Sequence, residues 1–377
     1  MRIIYFSRDY TTHDLRFLSA LAQTQHEVFF LRLENKGRVL ESQPLPGKVT
    51  QIHWKGGSSP ARWQDGLGLL MDLKRVIRTY RPDIVHAGTI QTAAFLTALA
   101  GFRPLVSMSW GYDLLMDAHR NLYWEWATRY TLKRSEVMVG DCDIIRRLAV
   151  NYGMAAGHII SFPWGTNLDH FHPSREDSGL RQHLGWKEEE TFVILSTRGW
   201  SPIYGIEELA RGFALAAQQS SKLRLLMLGG GSQEDFVKHI FRQANVLDKV
   251  YFAGQISFQD LPEYYRAADL YVSASHSDGT SISLLEALAC GVPALVSDIP
   301  GNQEWVTPDV GWQFPLGNSN VLSQRLLDVV RNNACLPEMG RAARLLAEQR
   351  GDWDKNFLFL LEAYQRAVGN GKNIVTF

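Results

Sequence analysis

Asp278 and Glu286 stand eight positions apart in the segment Ser277-Asp278-Gly279-Thr280-Ser281-Ile282-Ser283-Leu284-Leu285-Glu286-Ala287-Leu288-Ala289-Cys290-Gly291-Val292-Pro293. A small-residue turn carries the first acid, and a helical pattern opens directly behind it. The first turn of a helix offers backbone N–H groups with no intrahelical partner at a positive dipole end, where anions and sugar hydroxyls can be held. Glu286 lies roughly one to two turns into that helix and can point to the same side as Asp278. Two carboxylates beside such a turn suit a phosphorylated sugar compound. Either acid alone also reads as an ordinary loop Asp or amphipathic-helix Glu, so the neighbouring segments must decide.

Ligands of open α/β sheets bind beyond the carboxyl ends of the strands. Four strand patterns in the second half end in residues of the right chemistry. Phe192–Ser196 runs into Thr197-Arg198-Gly199-Trp200-Ser201-Pro202-Ile203-Tyr204-Gly205, which sets Arg198 where a guanidinium fork matches phosphate oxygens, a rim ion pair being the plainer alternative. Leu223–Leu228 runs into Gly229-Gly230-Gly231-Ser232, a turn able to cradle phosphate or simply to be tight. Val250–Ala253 is followed by Gly254-Gln255-Ile256-Ser257, whose backbone can bond a nucleobase, and Leu270–Ser275 delivers the acid pair. The convergence of glycine, arginine and acid on one rim is a stronger signal than any member of it.

The elements that would position this rim follow from periodicity. Short apolar, β-rich runs alternate with helical patterns throughout, which predicts parallel sheets built from βαβ units. The first half reads as strands at 2–7, 28–33, 83–88, 105–109, 137–140 and 159–163, with an irregular Gly/Pro-punctuated stretch over 34–60. A polar seam over 163–179 precedes a second set at 192–196, 223–228, 250–253, 270–275, 294–297 and 311–314. The expected fold class is α/β, with two six-stranded, doubly wound, Rossmann-like domains facing a cleft. The expected domains are 1–170, joined by a returning C-terminal helix over 353–377, and 171–352.

Composition narrows the function. Lys plus Arg and Asp plus Glu balance at 39 each in 377 residues, so no global field favours nucleic acid or an anionic membrane. Cys142, Cys290 and Cys335 have no metal spacing, and a reducing cytoplasm fits them. No run approaches the roughly 18 apolar residues of a membrane helix. The expected location is the cytoplasm, with possible peripheral contact at the inner face of the membrane. The stretch Tyr123-Trp124-Glu125-Trp126-Ala127-Thr128-Arg129-Tyr130 with Lys133 and Arg134 bears on that contact: at helical spacing its aromatics fit a packed core, and with its cations they also fit a membrane surface.

The ordered set Arg198, Gly229-Gly230-Gly231, Val250-Tyr251-Phe252-Ala253-Gly254, Tyr265-Arg266-Ala267-Ala268-Asp269-Leu270-Tyr271-Val272-Ser273 and Leu285-Glu286-Ala287-Leu288-Ala289-Cys290-Gly291-Val292-Pro293 resembles the retaining nucleotide-sugar glycosyltransferases of group 1, family four, with the GT-B fold. Pro163-Trp164-Gly165-Thr166-Asn167-Leu168-Asp169-His170-Phe171-His172-Pro173 resembles that family's interdomain connector. The resemblance implies that Asp278 contacts the transferred sugar with backbone N–H groups of Gly279, Thr280, Ser281 and Ile282, that Glu286 holds the ribose, and that Arg198 binds the diphosphate. Tyr204, Gly229, Gly254 and Ile256 complete the implied donor site. Three departures stand out: the first acid is Asp where the family has Glu, Ile203 and Tyr204 occupy the stretch of a usual phosphate lysine, and Ser7-Arg8-Asp9-Tyr10-Thr11-Thr12-His13-Asp14 replaces an N-terminal glycine loop. Trp110-Gly111-Tyr112-Asp113 stands where many members have His-Gly, making His13, Asp14, Trp110 and Asp113 the acceptor-side candidates, although His13 and Asp14 equally fit a helix cap and Trp110 a core anchor.

The implied reaction carries a sugar from a uridine or guanosine diphosphate donor to an acceptor hydroxyl, with retention, no metal and no cofactor beyond the donor itself. The expected partners are that donor and a sugar or lipid-linked sugar acceptor of surface polysaccharide or glycolipid assembly, not nucleic acid. A glycosidase needs a carboxyl group protonating across the scissile bond, which two acids on one side of a pocket do not provide. A nucleotide-sugar-binding partner subunit with little or no activity is the alternative that the missing lysine raises.

Overall fold

Runs such as Ile3-Ile4-Tyr5-Phe6 and Val193-Ile194-Leu195 are apolar at successive positions, and such strands are stable only when both sheet faces are covered. The computed structural model describes residues 1–37, 41–174, 179–187 and 189–372. The strands are β1 (Arg2–Ser7), β2 (Glu27–Arg32), β3 (Val49–Gln51), β4 (Ile84–Gly88), β5 (Leu105–Met108), β6 (Val137–Gly140), β7 (Ile159–Ser161), β8 (Phe192–Ser196), β9 (Leu223–Leu228), β10 (Val250–Gly254), β11 (Leu270–Ser273), β12 (Ala294–Ser297) and β13 (Gly311–Phe314). All pairings among the described residues are parallel. They form two sheets, in the orders β3-β2-β1-β4-β5-β6-β7 and β10-β9-β8-β11-β12-β13. Each is doubly wound, as expected, with helices between successive strands except from β2 to β3, where none lies among the described residues.

The first sheet has seven strands rather than six. The extra one, β3, is three residues long at the sheet edge, and Val49-Thr50-Gln51 offers no apolar run to reveal it inside the irregular stretch.

The chain forms two compact units, one of residues 1–162 with the chain from Phe357 onward, the other of residues 163–356. In the first, Ile4, Phe6, Leu31 and Val85 pack one sheet face against Leu69, Leu73 and Val76 of the helix Gly66–Tyr80. The last helix, Trp353–Lys372, buries Leu360, Ala363, Tyr364 and Ala367. Tyr364 is bonded to Nδ1 of the buried His86 on β4 at 2.6 Å. Burial pushes the His86 imidazole down to about 3, so the ring is neutral at ordinary pH. Residues 373–377 of the expected C-terminal segment lie outside the described residues.

In the second unit, alternation along β8 sends Ile194 to one face with Phe213 and Phe241, and Val193 and Leu195 to the other with Leu284 and Leu288. The connector belongs to this unit. Phe171 is fully buried beside Tyr265, Arg344 Nη1 donates to the carbonyls of Phe171 at 2.8 Å and Ala289 at 2.9 Å, and Arg266 Nε donates to His172 O at 3.0 Å. These bonds explain why the division falls after Phe162, where the sequence pattern suggests residue 170. Residues 175–178 of the polar seam lie outside the described residues.

Candidate active site

In the second sheet the order of strands reverses between β8 and β11, which are neighbours, and such a switch point opens a crevice beyond the carboxyl ends. Arg198 follows β8 and Asp278 follows β11, so the topology brings together two residues 80 positions apart. Arg198 Nη2 donates to Asp278 Oδ2 at 2.6 Å, and Nη1 donates to Ser281 Oγ at 3.0 Å and Ser283 Oγ at 3.2 Å. The ring of Tyr204 lies under the guanidinium, 4.2 Å from its carbon to the ring centroid. The rim ion pair considered from sequence is therefore present, though largely buried, with side-chain exposures of 12% and 21%.

Burial works against the charge on Arg198, but Asp278 and the hydroxyls of Tyr271, Tyr204 and Tyr265 outweigh it and hold the guanidinium protonated. Burial raises the Asp278 carboxyl above its ordinary range, opposed by Arg198, the Gly279 N–H and the Ser281 hydroxyl. Ser281 precedes the helix Ile282–Ala289 as its N-cap, yet its side chain caps no backbone N–H. Thr280 and Ser281 are buried. A Cβ at Gly301 would strike the Gly279 and Asp278 carbonyls, so the next strand-end turn closes tightly on the acid-bearing one.

Glu286 is buried in the same helix and accepts from the Tyr265 hydroxyl at 2.8 Å. That hydroxyl also lies 3.1 Å from Ser283 O, while Tyr271 OH and Ser283 Oγ are 2.8 Å apart. A polar chain thus runs from Arg198 through Ser283 and Tyr265 to Glu286. Tyr265, Tyr271 and Ser283 were not legible as site residues. Two tyrosines in apolar surroundings look like core, and only their need for a buried hydroxyl partner hints at more.

The glycines shape the floor. Gly229 N donates to Gly254 O at 2.6 Å and Trp200 N to Gly230 O at 3.0 Å, which ties the turns after β8, β9 and β10 together. Gly254 has φ +70° beside a register shift between β10 and β9, and the half-buried Ile256 packs on the core just beyond it. Gly205, with φ +58°, ends the turn carrying Tyr204; a Cβ there would run into the Ala274 carbonyl.

The first sheet reverses between β1 and β4. Trp110, half-buried, follows β5, and its indole nitrogen would be 2.9 Å from a Cβ at Gly88, at the end of β4. The exposed His13 ring stacks on it with centroids 5.5 Å apart, and Phe17 meets it edge-on at 5.8 Å. Asp14 and Asp113 are arranged differently. Asp14 is the third residue in a capping box with Thr11 and accepts from Tyr5 OH at 3.1 Å. Asp113 accepts from Ile90 N at 3.0 Å, Ser109 Oγ at 2.6 Å and Leu114 N at 3.1 Å. Burial raises both carboxyls to about 6 against these bonds. Sequence reasoning groups the four; the fold pairs His13 with Trp110 and gives each acid a local bonding role. Among the described residues, no group of three or more His, Cys, Asp or Glu side chains is placed to hold a metal ion.

Residues 11–165 match the family model "Glycosyl transferase 4-like domain", and residues 179–346 match "Glycosyl transferases group 1". A D-inositol 3-phosphate glycosyltransferase of Pseudarthrobacter chlorophenolicus is 25% identical over 93% of this chain and 88% of its own. The sucrose-phosphate synthase of Thermosynechococcus elongatus superposes with a TM-score of 0.80 at 18% identity, covering 97% of this chain and 99% of that one. Anabaena Alr3699/HepE in complex with UDP-glucose gives 0.78 at 21% identity, covering 97% and 99%. At these identities the two structures establish the GT-B fold. With that fold shared along its length and both halves matched in order, the chain belongs to the group 1 glycosyltransferases.

Proposed function

We propose that the chain is a retaining, metal-independent transferase that moves a sugar from a uridine or guanosine diphosphate donor to an acceptor hydroxyl in surface polysaccharide or glycolipid assembly. The observation that carries this reading is the buried Arg198 at the switch point, bonded to Asp278, Ser281 and Ser283 beside the start of a helix. In transfer, the bond between the anomeric carbon and the diphosphate oxygen breaks, leaving negative charge on the phosphate and positive charge on the sugar. Arg198 and the helix start stabilise the first; Asp278 faces the second. The departing phosphate oxygen takes the acceptor's proton as the acceptor oxygen bonds the same face of the anomeric carbon. Glu286, fixed by Tyr265, holds the ribose hydroxyls. Gly229 and Gly254 keep the floor open to backbone bonding, with Ile256 beside the base. On the acceptor side, the stacked His13 and Trp110 offer a flat apolar face to a sugar ring. The binding of UDP-glucose by Alr3699/HepE, a protein of the same fold, supports a nucleotide-sugar donor.

The test is transfer and donor hydrolysis by the purified chain over a panel of nucleotide sugars, with the product's anomeric configuration read by NMR. Arg198→Ala should lower turnover about 10²–10³-fold, the usual consequence of removing one preorganised charge-stabilising donor, and Glu286→Ala should chiefly weaken donor binding. Donor binding without turnover on a broad acceptor panel would overturn the reading in favour of a nucleotide-sugar-binding partner subunit, which the missing lysine favours.

A further inference from the structure

The helix Leu122–Arg134 lies on the first unit with Ala127, Thr128, Thr131 and Leu132 turned into the protein. Its other side is not polar. Leu122 is 84% exposed, Trp126 49% and Tyr123 38%, and Met116 just before the helix is 49% exposed. Leu122, Trp126, Arg129 and Lys133 follow the helical repeat and form one stripe, with Tyr123, Tyr130 and Arg134 along its flank. The aromatics form a shelf: Trp126 lies 5.8 Å from Tyr123 and 5.5 Å from Tyr130, and all three meet the buried Phe95 edge-on. Phe95 anchors the shelf while its outer surface stays in solvent. The packed core considered from sequence accounts for only the inner edge of these rings.

Charge on this face is net positive. Along the helix Arg129, Lys133 and Arg134 stand against Glu125, which is bonded to Arg129 at 2.9 Å. Arg134 lies over the Tyr130 ring at 5.2 Å, and among the described residues neither it nor Lys133 forms an ion pair. Arg120 and Asp117, just before the helix, offset each other. Over the whole sequence acids and bases balance, so the surplus is local.

We infer that this face docks on an anionic lipid surface. An exposed Leu, Trp and Tyr, with amphipathic rings at the boundary and cations alongside, is the composition that places a helix in the plane of a bilayer interface. The cations complement acidic headgroups. A self-contact of this face would instead pool positive charge on both sides. The helix follows β5 and precedes the parallel β6, so its Leu122 end lies toward the carboxyl edge of the sheet, beyond which Trp110 follows β5. An acceptor anchored in the same bilayer would be held near that edge.

The test is cosedimentation of the full chain with vesicles of phosphatidylcholine alone and of phosphatidylcholine with phosphatidylglycerol. Binding should require phosphatidylglycerol and weaken as salt is raised. Lys133→Gln with Arg134→Gln should lower the partition coefficient roughly thirty-fold, and Leu122→Ser with Trp126→Ser about tenfold or more. Equal partitioning onto both vesicle types, no partitioning onto either, or wild-type binding by both double variants would overturn the inference. So would a concentration-dependent dimer abolished by Leu122→Ser with Trp126→Ser, which would assign the face to a second copy. If that variant fails to fold by circular dichroism, the wild-type lipid and salt dependence decides with the charge variant. No step of this assay depends on sugar transfer, so it fails or succeeds separately from the donor reading.

Discussion

Asp278 occupies the guanidinium that the donor's diphosphate is proposed to use, and Asp278→Asn measures how far the two compete. The substitution removes one negative charge and leaves an oxygen facing Arg198, whose Nη2 now donates at 2.6 Å. The guanidinium stays charged and keeps a charge-assisted bond to the amide oxygen, so the loss is the attraction between opposite charges, about 4 kcal/mol gross near the protein surface, of which the easier desolvation of a neutral amide returns more than half, leaving the hold on Arg198 weaker by roughly 1.5 kcal/mol. Both side chains are more than three-quarters buried, so solvent screening takes little from this figure. A diphosphate brings its own anionic oxygens and restores the loss only in the bound state. Titration calorimetry with uridine or guanosine diphosphate should therefore show binding about tenfold tighter in Asp278→Asn than in the parent. The free variant should melt roughly 3–6 °C lower, the shift expected for a unit of this size. Sugar transfer should fall despite tighter nucleotide binding, since Asp278 is assigned to the sugar. Unchanged or weaker nucleotide affinity would refute competition for Arg198.

Further outcomes follow from neighbouring residues. Tyr204→Leu removes the ring 4.2 Å from the Arg198 guanidinium carbon, a stacking worth about 1–2 kcal/mol when desolvated, and should weaken nucleotide binding roughly five- to thirtyfold; an unaltered titration would show that the ring does not orient Arg198. Gly205→Ala forces a Cβ at φ +58° into the Ala274 carbonyl and should cost roughly 2–3 kcal/mol in urea unfolding, a loss below 1 kcal/mol counting against the strain argument. Asp113 carries a carboxyl raised by burial to about 6 from the ordinary 3.8, so its contribution is fullest at low pH and is lost as pH rises through about 6, by up to about 3 kcal/mol. Asp113→Asn cannot ionise. The stability of the parent relative to this variant should decline from pH 4 to pH 7, and parallel urea-unfolding profiles would contradict the raised value.

The strands were legible because buried parallel strands are apolar at successive residues and rich in β-branched or large aliphatic side chains, as in Val193-Ile194-Leu195 and Leu225-Leu226-Met227, and each run is short and bounded by turn residues. β3 was not, because an edge strand of three residues has only Val49 to bury. The site was legible as a set of strand ends, since Arg198, the glycine turns and the acids each follow an apolar run. The bonds among them were not. No local pattern announces that Arg198 reaches Asp278, a contact made by strand order, or that Ser281 gives its hydroxyl to Arg198 instead of a helix cap. For Asp14, the Thr11-to-Asp14 spacing signals a capping box. The buried bonding of Asp113 to Ile90 and Ser109 had no counterpart in the spacing of the sequence.

The first unit is interrupted in the chain and the second is continuous, and this fixes an order of completion during synthesis. A ribosome releasing the chain from its N-terminus delivers every residue of the second unit, through Asn356, before the part of the last helix from Phe357 onward that the first unit requires. Until Tyr364 emerges, His86 lacks the hydroxyl it meets at 2.6 Å, and the surface later covered by Leu360, Ala363 and Ala367 faces water. The unit that begins first is therefore finished last, and a chain cut between Asn356 and Tyr364 should yield a folded second unit attached to a first unit open to proteases.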